Sequence, residues 1–380
     1  MKGPAAEARS TLPAVAHSER LLLGPGPSNP YPEVIEALTR PVLGHLDPEF
    51  LALLDETCAW LRDTFRTTNA LTLPISGTGS AGMEACFVNL VEPGDTVIVG
   101  VNGVFGGRMC DVAQRCGAHV VRVDEPWGHA IDPQRLLDAR AAHPEARLVA
   151  VVHAETSTGV VNDVAPLRAL QETDTLLLVD AVTSLGGIPV EVDAWGIDAV
   201  YSGTQKCLGV PPGLAPISFS PRAVERVKTR ATPSQSWYLD LGLIGEYVGA
   251  ERRYHHTAPI SMIYALHAGL GVLQAEGLEP SWSRHARVGA ALQNALPELG
   301  FRLFAQEGHR LPELTTAWLP DGADDASLRA ELRDRYGIEV GSGLGELAGK
   351  GWRIGLMGHS ARERSVVALM GALREQLRAA

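Results

Sequence analysis

The sequence predicts an α/β protein: a mostly parallel central sheet with helices on both faces, then a smaller C-terminal α+β domain. Three observations predict it. Between residues 70 and 220, short apolar, β-branched runs alternate with stretches of helical period. Polar or Gly-rich turns repeatedly follow those runs, as at the carboxyl edge of a parallel sheet. After about residue 280 the regular alternation gives way to helices interspersed with short strands. The 380 residues leave room for roughly two to three ordinary domains. We read 1–20 as an arm, 21–280 as the large domain and 281–380 as the small one.

Residues 1–20 are rich in Ala and Pro without periodicity, as in a loose or partner-wrapping arm. Leu21–Leu23 leads into Gly24-Pro25-Gly26-Pro27-Ser28-Asn29-Pro30, a non-regular loop whose glycines permit close backbone approach. A helix follows from about Pro32 to Thr39, with Pro in its first turn. A second runs from about Pro48 to Thr64, where Phe50, Leu54, Thr57 and Leu61 share a face. Leu71–Ile75 reads as a strand, Ser76-Gly77-Thr78-Gly79-Ser80 as its turn, and the run through Met83, Phe87 and Leu90 as a helix. Strands are expected next at Thr96–Val99, Val120–Val123, Leu148–His153, Thr175–Val179, Ile197–Tyr201 and Leu214–Phe219. Helices are expected at Gly106–Cys116, Pro133–Ala142, Val164–Glu172 and Pro221–Thr229. Trp237–Tyr247 is apolar and aromatic, and Ile260–Glu276 reads as a long helix. In the last hundred residues, helices are expected near Trp282–Leu296, Asp325–Tyr336 and Glu363–Leu377. Short strands are expected near Phe301, Thr315, Glu339 and Trp352.

The net charge is −11, from 33 basic and 44 acidic residues. Nothing there favours nucleic acid or an anionic membrane as a partner. The five cysteines, Cys58, Cys86, Cys110, Cys116 and Cys207, include no Cys-x-x-Cys pair, so no metal site is expected. The first 20 residues lack the apolar core of a signal peptide, and no window approaches ~20 apolar residues. A cytoplasmic location is therefore expected.

Lys206 stands just past the strand that ends at Tyr201, among small and polar residues. A desolvated lysine loses part of its preference for the charged form and becomes a nucleophile, as a Schiff base requires. Taken singly, Lys206 also reads as a loop lysine, Asp180 as a helix cap and the 76–80 turn as a plain connection. Together they match the needs of pyridoxal phosphate. Its aldehyde needs the Lys206 amine. Its ring nitrogen needs a buried carboxylate, at Asp180, to hold a proton. Its phosphate needs the N–H and O–H donors of Gly77, Thr78, Gly79, Ser80 and the helix behind them. Its ring needs a stacking face, for which Phe105 is the candidate.

Seven segments stand in order: Leu-Leu-Gly-Pro-Gly-Pro-Ser (22–28), Ile-Ser-Gly-Thr-Gly (75–79), Ser-Thr-Gly-Val (157–160), Val-Asp-Ala-Val-Thr-Ser-Leu-Gly-Gly (179–187), Tyr-Ser-Gly-Thr-Gln-Lys (201–206), Tyr-His-His-Thr (254–257) and Arg-Ile-Gly-Leu-Met-Gly (353–358). From about residue 20 onward the chain resembles the class V aminotransferases, in particular the alanine–glyoxylate / serine–pyruvate group. The resemblance implies fold type I and a homodimer with shared active sites. It implies that Lys206 forms the internal aldimine and shuttles the proton, and that Asp180 pairs with the pyridinium. Phe105 would cover the ring, and Ser157 would bond near the ring hydroxyl. Gln205, Gly79 and Ser80 would reach the phosphate, joined by Tyr254 and Thr257 from the other subunit. Arg353 would clamp the substrate α-carboxylate in a bidentate pair, with the loop around Gly26 closing over it. Phe105 stands where animal members usually carry tryptophan, Ser80 where they often carry histidine, and His359 where they often carry tyrosine.

The reaction so implied is ping-pong transfer of an amino group from alanine or serine to glyoxylate or pyruvate. Alternatives are another small donor, such as ureidoglycine, aminoethylphosphonate or pyridoxamine, a cysteine desulfurase or lyase, or a catalytically silent cofactor-binding protein. Gln205 before Lys206, where desulfurases usually carry histidine, counts against the second. The intact Lys206/Asp180 pair counts against the third.

Overall fold

A computed structural model describes residues 19–249 and 251–379. The arm read at 1–20 therefore lies, except for Glu19 and Arg20, outside the described residues. The strands in chain order are β1 (Leu21–Leu23), β2 (Leu71–Ser76), β3 (Thr96–Val101), β4 (His119–Asp124), β5 (Leu148–Val152), β6 (Ala154–Glu155), β7 (Val160–Val161), β8 (Leu176–Asp180), β9 (Ala199–Tyr201), β10 (Leu214–Phe219), β11 (Arg302–Leu303), β12 (Leu314–Trp318), β13 (Ile338–Ser342) and β14 (Gly351–Gly355).

Seven of them form one sheet in the order β2-β10-β9-β8-β5-β3-β4. Strand β10 runs antiparallel to both its neighbours, while the pairs from β9 to β4 are parallel. The residues explain the placement. In β5, Leu-Val-Ala-Val-Val, and β8, Leu-Leu-Leu-Val-Asp, every side chain is buried, as central parallel strands covered on both faces require. The α/β class read from the sequence is the class observed. Among the described residues, no helix is long and apolar enough to cross a membrane.

The helix Pro48–Phe65 shows how local signals set an element. Asp47 accepts from Glu49 N at 2.8 Å, Pro48 opens the first turn, and Arg66 ends it in the left-handed region at φ 52°. Phe50, Leu54, Cys58, Leu61 and Phe65 form its buried face. Two expectations change. The aromatic run after Trp237 contains a helix, Leu241–Val248, capped by Asp240, which accepts from Gly242 N and Leu243 N. The helix expected at Val164–Glu172 is a 3-10 helix over Ala165–Glu172.

The second sheet has the order β1-β13-β14-β12-β11. Its core gathers Leu23, Phe301, Trp352, Ile354 and Leu369. Strand β1 pairs in parallel with β13, so Leu21–Leu23 belongs to this sheet, although the sequence division at residue 280 grouped it with the larger one. Chain segments 300 residues apart thus meet, and the loop after β1 enters the space between the sheets. A small apolar cluster of Ala154, Ile188, Cys207, Leu311, Leu314 and Met357 joins the two cores.

Candidate active site

The carboxyl ends of β2, β3, β5, β8 and β9 lie along one edge of the large sheet, and the candidate residues follow them. Register sets the closest pair: Asp180 ends β8 directly opposite Tyr201, the last residue of β9. Tyr201 Oη donates to Asp180 Oδ2 at 2.7 Å, and Val182 N donates to Oδ1 at 2.8 Å. Burial pushes the Asp180 carboxyl up to about 6, and these two donors oppose the shift. A carboxylate so placed gains by meeting a cationic N–H.

Past β9 the chain is tied back to the sheet: Ser202 N donates to Pro216 O at 2.7 Å and Ser202 Oγ to Ala181 O at 2.9 Å. Lys206 follows, only 8% exposed. Burial pushes its amine down to about 8. Among the charges, Arg353 lowers it further, while Cys207, Asp180 and Glu155 oppose the shift. Its Nζ donates to Pro25 O, on the loop after β1. Ser28 closes the same contact, with Oγ donating to Lys206 O at 2.9 Å and N to Gln205 O at 2.9 Å. Gly26 lies against the lysine stem. Its φ is +112°, and a Cβ there would sit 2.9 Å from Lys206 Cδ, Cε and Nζ.

Strand β2 delivers the donor-rich turn. Gly77 takes φ +139°, and a Cβ on it would meet Ala81 Cβ at 2.5 Å. Thr78 caps the helix Gly79–Leu90 without a side-chain hydrogen bond. Among the described residues, no acceptor faces the N–H groups of Thr78, Gly79 and Ser80. Gln205 Oε1 is buried and also has no partner. Unsatisfied donors at a helix N-terminus suit a phosphate.

These groups share one cavity of about 220 Å³ with Phe105, Thr156 and Arg108. Phe105 is the second residue of the helix Val104–Arg115, which begins two residues before the expected Gly106. The Arg108 guanidinium lies 4.9 Å from the Phe105 ring centroid. A buried amine, a buried carboxylate, an aromatic face and free helix N–H groups fit an aromatic aldehyde that carries a phosphate. A larger hollow of about 610 Å³ lies beside Tyr31 and His359, and on its wall Arg284 pairs with Glu276 and Arg287 with Glu363.

Besides Gly26 and Gly77, four residues expected at the site do not line this cavity. Ser157 is one, and the reason is local. The turn after β6 folds back on Glu155, whose carboxylate accepts Ser157 N–H at 3.0 Å and Oγ–H at 2.6 Å. Its neighbour Thr156 faces the cavity instead. Arg353 sits on β14, with Nε donating to Ser342 O at 2.9 Å; its terminal nitrogens meet no partner among the described residues. Tyr254 and Thr257 are exposed, with the Tyr254 ring 5.2 Å from that of His45. Cys207 points away, its Sγ donating to Thr183 O at 3.2 Å. Among the described residues, no three metal-ligating groups cluster.

Sequence reasoning passed over Glu155, Tyr201, Thr156 and Arg108. Glu155 carried a usable signal: an acid three residues past a wholly apolar strand calls for donors. Tyr201 did not, because its partner is set by strand register.

Known proteins match along the same length. The family model described as Aminotransferase class-V matches residues 27–350. An alanine–glyoxylate aminotransferase of Callithrix jacchus is 41% identical, over 97% of this chain and 90% of that protein. A (S)-ureidoglycine–glyoxylate transaminase of Bacillus subtilis is 38% identical, over 94% and 90%. A crystal structure of an alanine–glyoxylate aminotransferase from Nostoc sp. superposes with a TM-score of 0.94 at 48% identity, over 97% of each chain. The chain belongs to the class V aminotransferases, a family whose fold implies pyridoxal phosphate as cofactor.

Proposed function

We propose that this aminotransferase moves the amino group of alanine or serine to glyoxylate or pyruvate, with pyridoxal 5'-phosphate in the 220 Å³ cavity. The observation that carries the reading is Lys206: a buried amine facing the same cavity as the buried Asp180 and an unsatisfied helix N-terminus. When bound, the cofactor supplies the electron sink that lets the Cα–H bond of the donor break. Lys206 Nζ, whose proton affinity burial brings down to about 8, takes that proton and later returns it. The Asp180 carboxylate holds the proton of the ring nitrogen. Phe105 offers a ring face, and Thr156, which faces the cavity where Ser157 does not, offers a hydroxyl. The N–H groups of Thr78, Gly79 and Ser80 and the Gln205 side chain hold the phosphate, behind Gly77. Tyr254 and Thr257, exposed in one subunit, complete the phosphate site of a second in a homodimer.

Arg353 binds the α-carboxylate from the small sheet, and the Gly26 loop lies against Lys206. Relatives named for alanine and glyoxylate at about 40% identity support that donor and that acceptor. The Bacillus subtilis relative favours a second reading, with ureidoglycine as donor. A panel of kcat/KM values for L-alanine, L-serine and (S)-ureidoglycine against glyoxylate separates the two. The first reading requires alanine or serine to lead. A lead by ureidoglycine replaces it with the second.

A further inference from the structure

Glu155 ends β6 with its side chain wholly buried. Its Oε2 accepts the backbone N–H groups of Phe105 at 3.1 Å and Gly106 at 3.3 Å. Its Oε1 accepts Ser157 N–H at 3.0 Å and Ser157 Oγ–H at 2.6 Å. Ser157 Oγ in turn accepts Val104 N–H at 2.9 Å. One carboxylate therefore satisfies donors from two segments: the first turn of the helix that bears Phe105, and the turn that bears Thr156. Gly103 makes room for it. A Cβ there would lie 2.5 Å from Glu155 Cγ and Cδ and 2.4 Å from Ser157 Oγ. The φ of Gly103 is 177°, so space rather than backbone conformation demands glycine.

We propose that Glu155 is an ionised positioning residue that locks Phe105 against the cofactor cavity and supplies the site with a fixed negative charge. The proposal rests on the cofactor reading above. Burial raises the proton affinity of this carboxyl above its usual value, and the bonds from Ser157, Gly106 and Phe105 oppose that rise without cancelling it. Chemistry favours the anion. Oε2 faces only N–H donors, so no proton can sit there. A proton on Oε1 would reverse its bond with Ser157 Oγ and turn the serine O–H away from its acceptor. The N-terminal end of the helix adds a favourable dipole. Glutamine cannot fully replace the group, since its NH2 would confront either the N–H groups of Phe105 and Gly106 or that of Ser157 and leave them unsatisfied.

The charge reaches the working groups. It raises the proton affinity of Asp180, Lys206 and Arg353 alike. Lys206 also feels Cys207, Arg353 and Asp180. These stay in place when Glu155 alone is replaced, and the loss of its charge lowers the proton affinity of Asp180 and Arg353 along with that of Lys206.

The test uses the full chain, titrated with pyridoxal phosphate to give a Kd. It also uses the pH midpoint of the visible band of the loaded protein. Glu155→Gln is expected to weaken the Kd by roughly tenfold to a hundredfold, the scale of lost bonds to a charged group. It is also expected to lower the pH midpoint, because a negative neighbour of Lys206 is gone. Glu155→Asp keeps the charge but shortens the reach, so the Kd weakens and the midpoint stays. Gly103→Ala pushes the carboxylate off Phe105 and behaves like Glu155→Asp. A Glu155→Gln protein with the wild-type Kd overturns the proposal. An unmoved midpoint in that variant overturns the charge role. Should Glu155→Gln melt out, a wild-type Kd in Gly103→Ala overturns the positioning role, and an unmoved midpoint in Glu155→Ser, which loses the same charge, overturns the charge role. No binding by the wild-type chain overturns instead the cofactor reading on which the proposal stands.

Discussion

Lys206 and Asp180 have both been taken out of water, and burial moves them in opposite directions, the amine down to about 8 and the carboxyl up to about 6. For Asp180 this has a consequence for stability. A carboxyl raised from 3.8 to about 6 contributes fully below pH 3.8, and the contribution is lost as pH rises through 6. At neutral pH the cofactor-free protein therefore carries a buried charge that costs on the order of 3 kcal/mol. Asp180→Asn removes it. Urea unfolding of the cofactor-free variant is expected to show higher stability than wild type at pH 7.5, with the gap closing toward pH 4, while transaminase activity falls. A destabilised variant at pH 7.5 would show that the donors from Tyr201 and Val182 already hold the charge. Arg353 is the other decisive side chain. A lysine in its place keeps the charge but loses the planar fork. Arg353→Lys is expected to raise KM for the amino donor by roughly tenfold or more, with a smaller effect on kcat. Equal falls in kcat and kcat/KM would point to a role confined to the transition state.

At the scale of elements, the site is assembled by loops that rigid strands deliver to one edge. The loop after β1 shows the tolerance. Gly26→Ala would place a methyl 2.9 Å from the lysine stem at a φ of +112°. Steady-state assays are expected to show at least a tenfold loss of kcat/KM, the scale of 1.4 kcal/mol or more of strain. Wild-type kinetics would show that the loop moves freely. The sequence made these loops legible wherever chemistry and local pattern agreed, as with Lys206 and Asp180 after apolar strands and Gly77 to Ser80 before a helix. It did not show which way alternate residues face. Ser157 and Thr156 are adjacent, and only the fold-back onto Glu155 decides that Thr156 meets the cavity. Nor did it show long-range pairing: the bond between Tyr201 and Asp180 and the place of β1 beside β13 depend on register between distant segments. The helix Leu241–Val248 was hidden by its aromatic approach, although Asp240 was a readable cap.

At the scale of the molecule, the large sheet carries Lys206 and Asp180, the smaller sheet carries Arg353, and the loop from β1 runs between them. Tyr254 and Thr257 lie outside the cavity of their own chain. In the proposed homodimer they serve the neighbouring site. Lys206→Ala and Thr257→Ala chains, each weak alone, are then expected to regain activity when unfolded and refolded together, because one site of the hybrid has both residues intact. No gain over the separate variants would mean that each subunit works alone.

The central claim is that Lys206 holds pyridoxal phosphate for transamination. Its most direct test is the visible absorption spectrum of the purified chain reconstituted with pyridoxal phosphate. The spectrum is recorded before and after L-alanine, and again after glyoxylate. The account requires a visible band that alanine bleaches and glyoxylate restores, and that Lys206→Ala lacks. A wild-type chain that shows no band after reconstitution contradicts it.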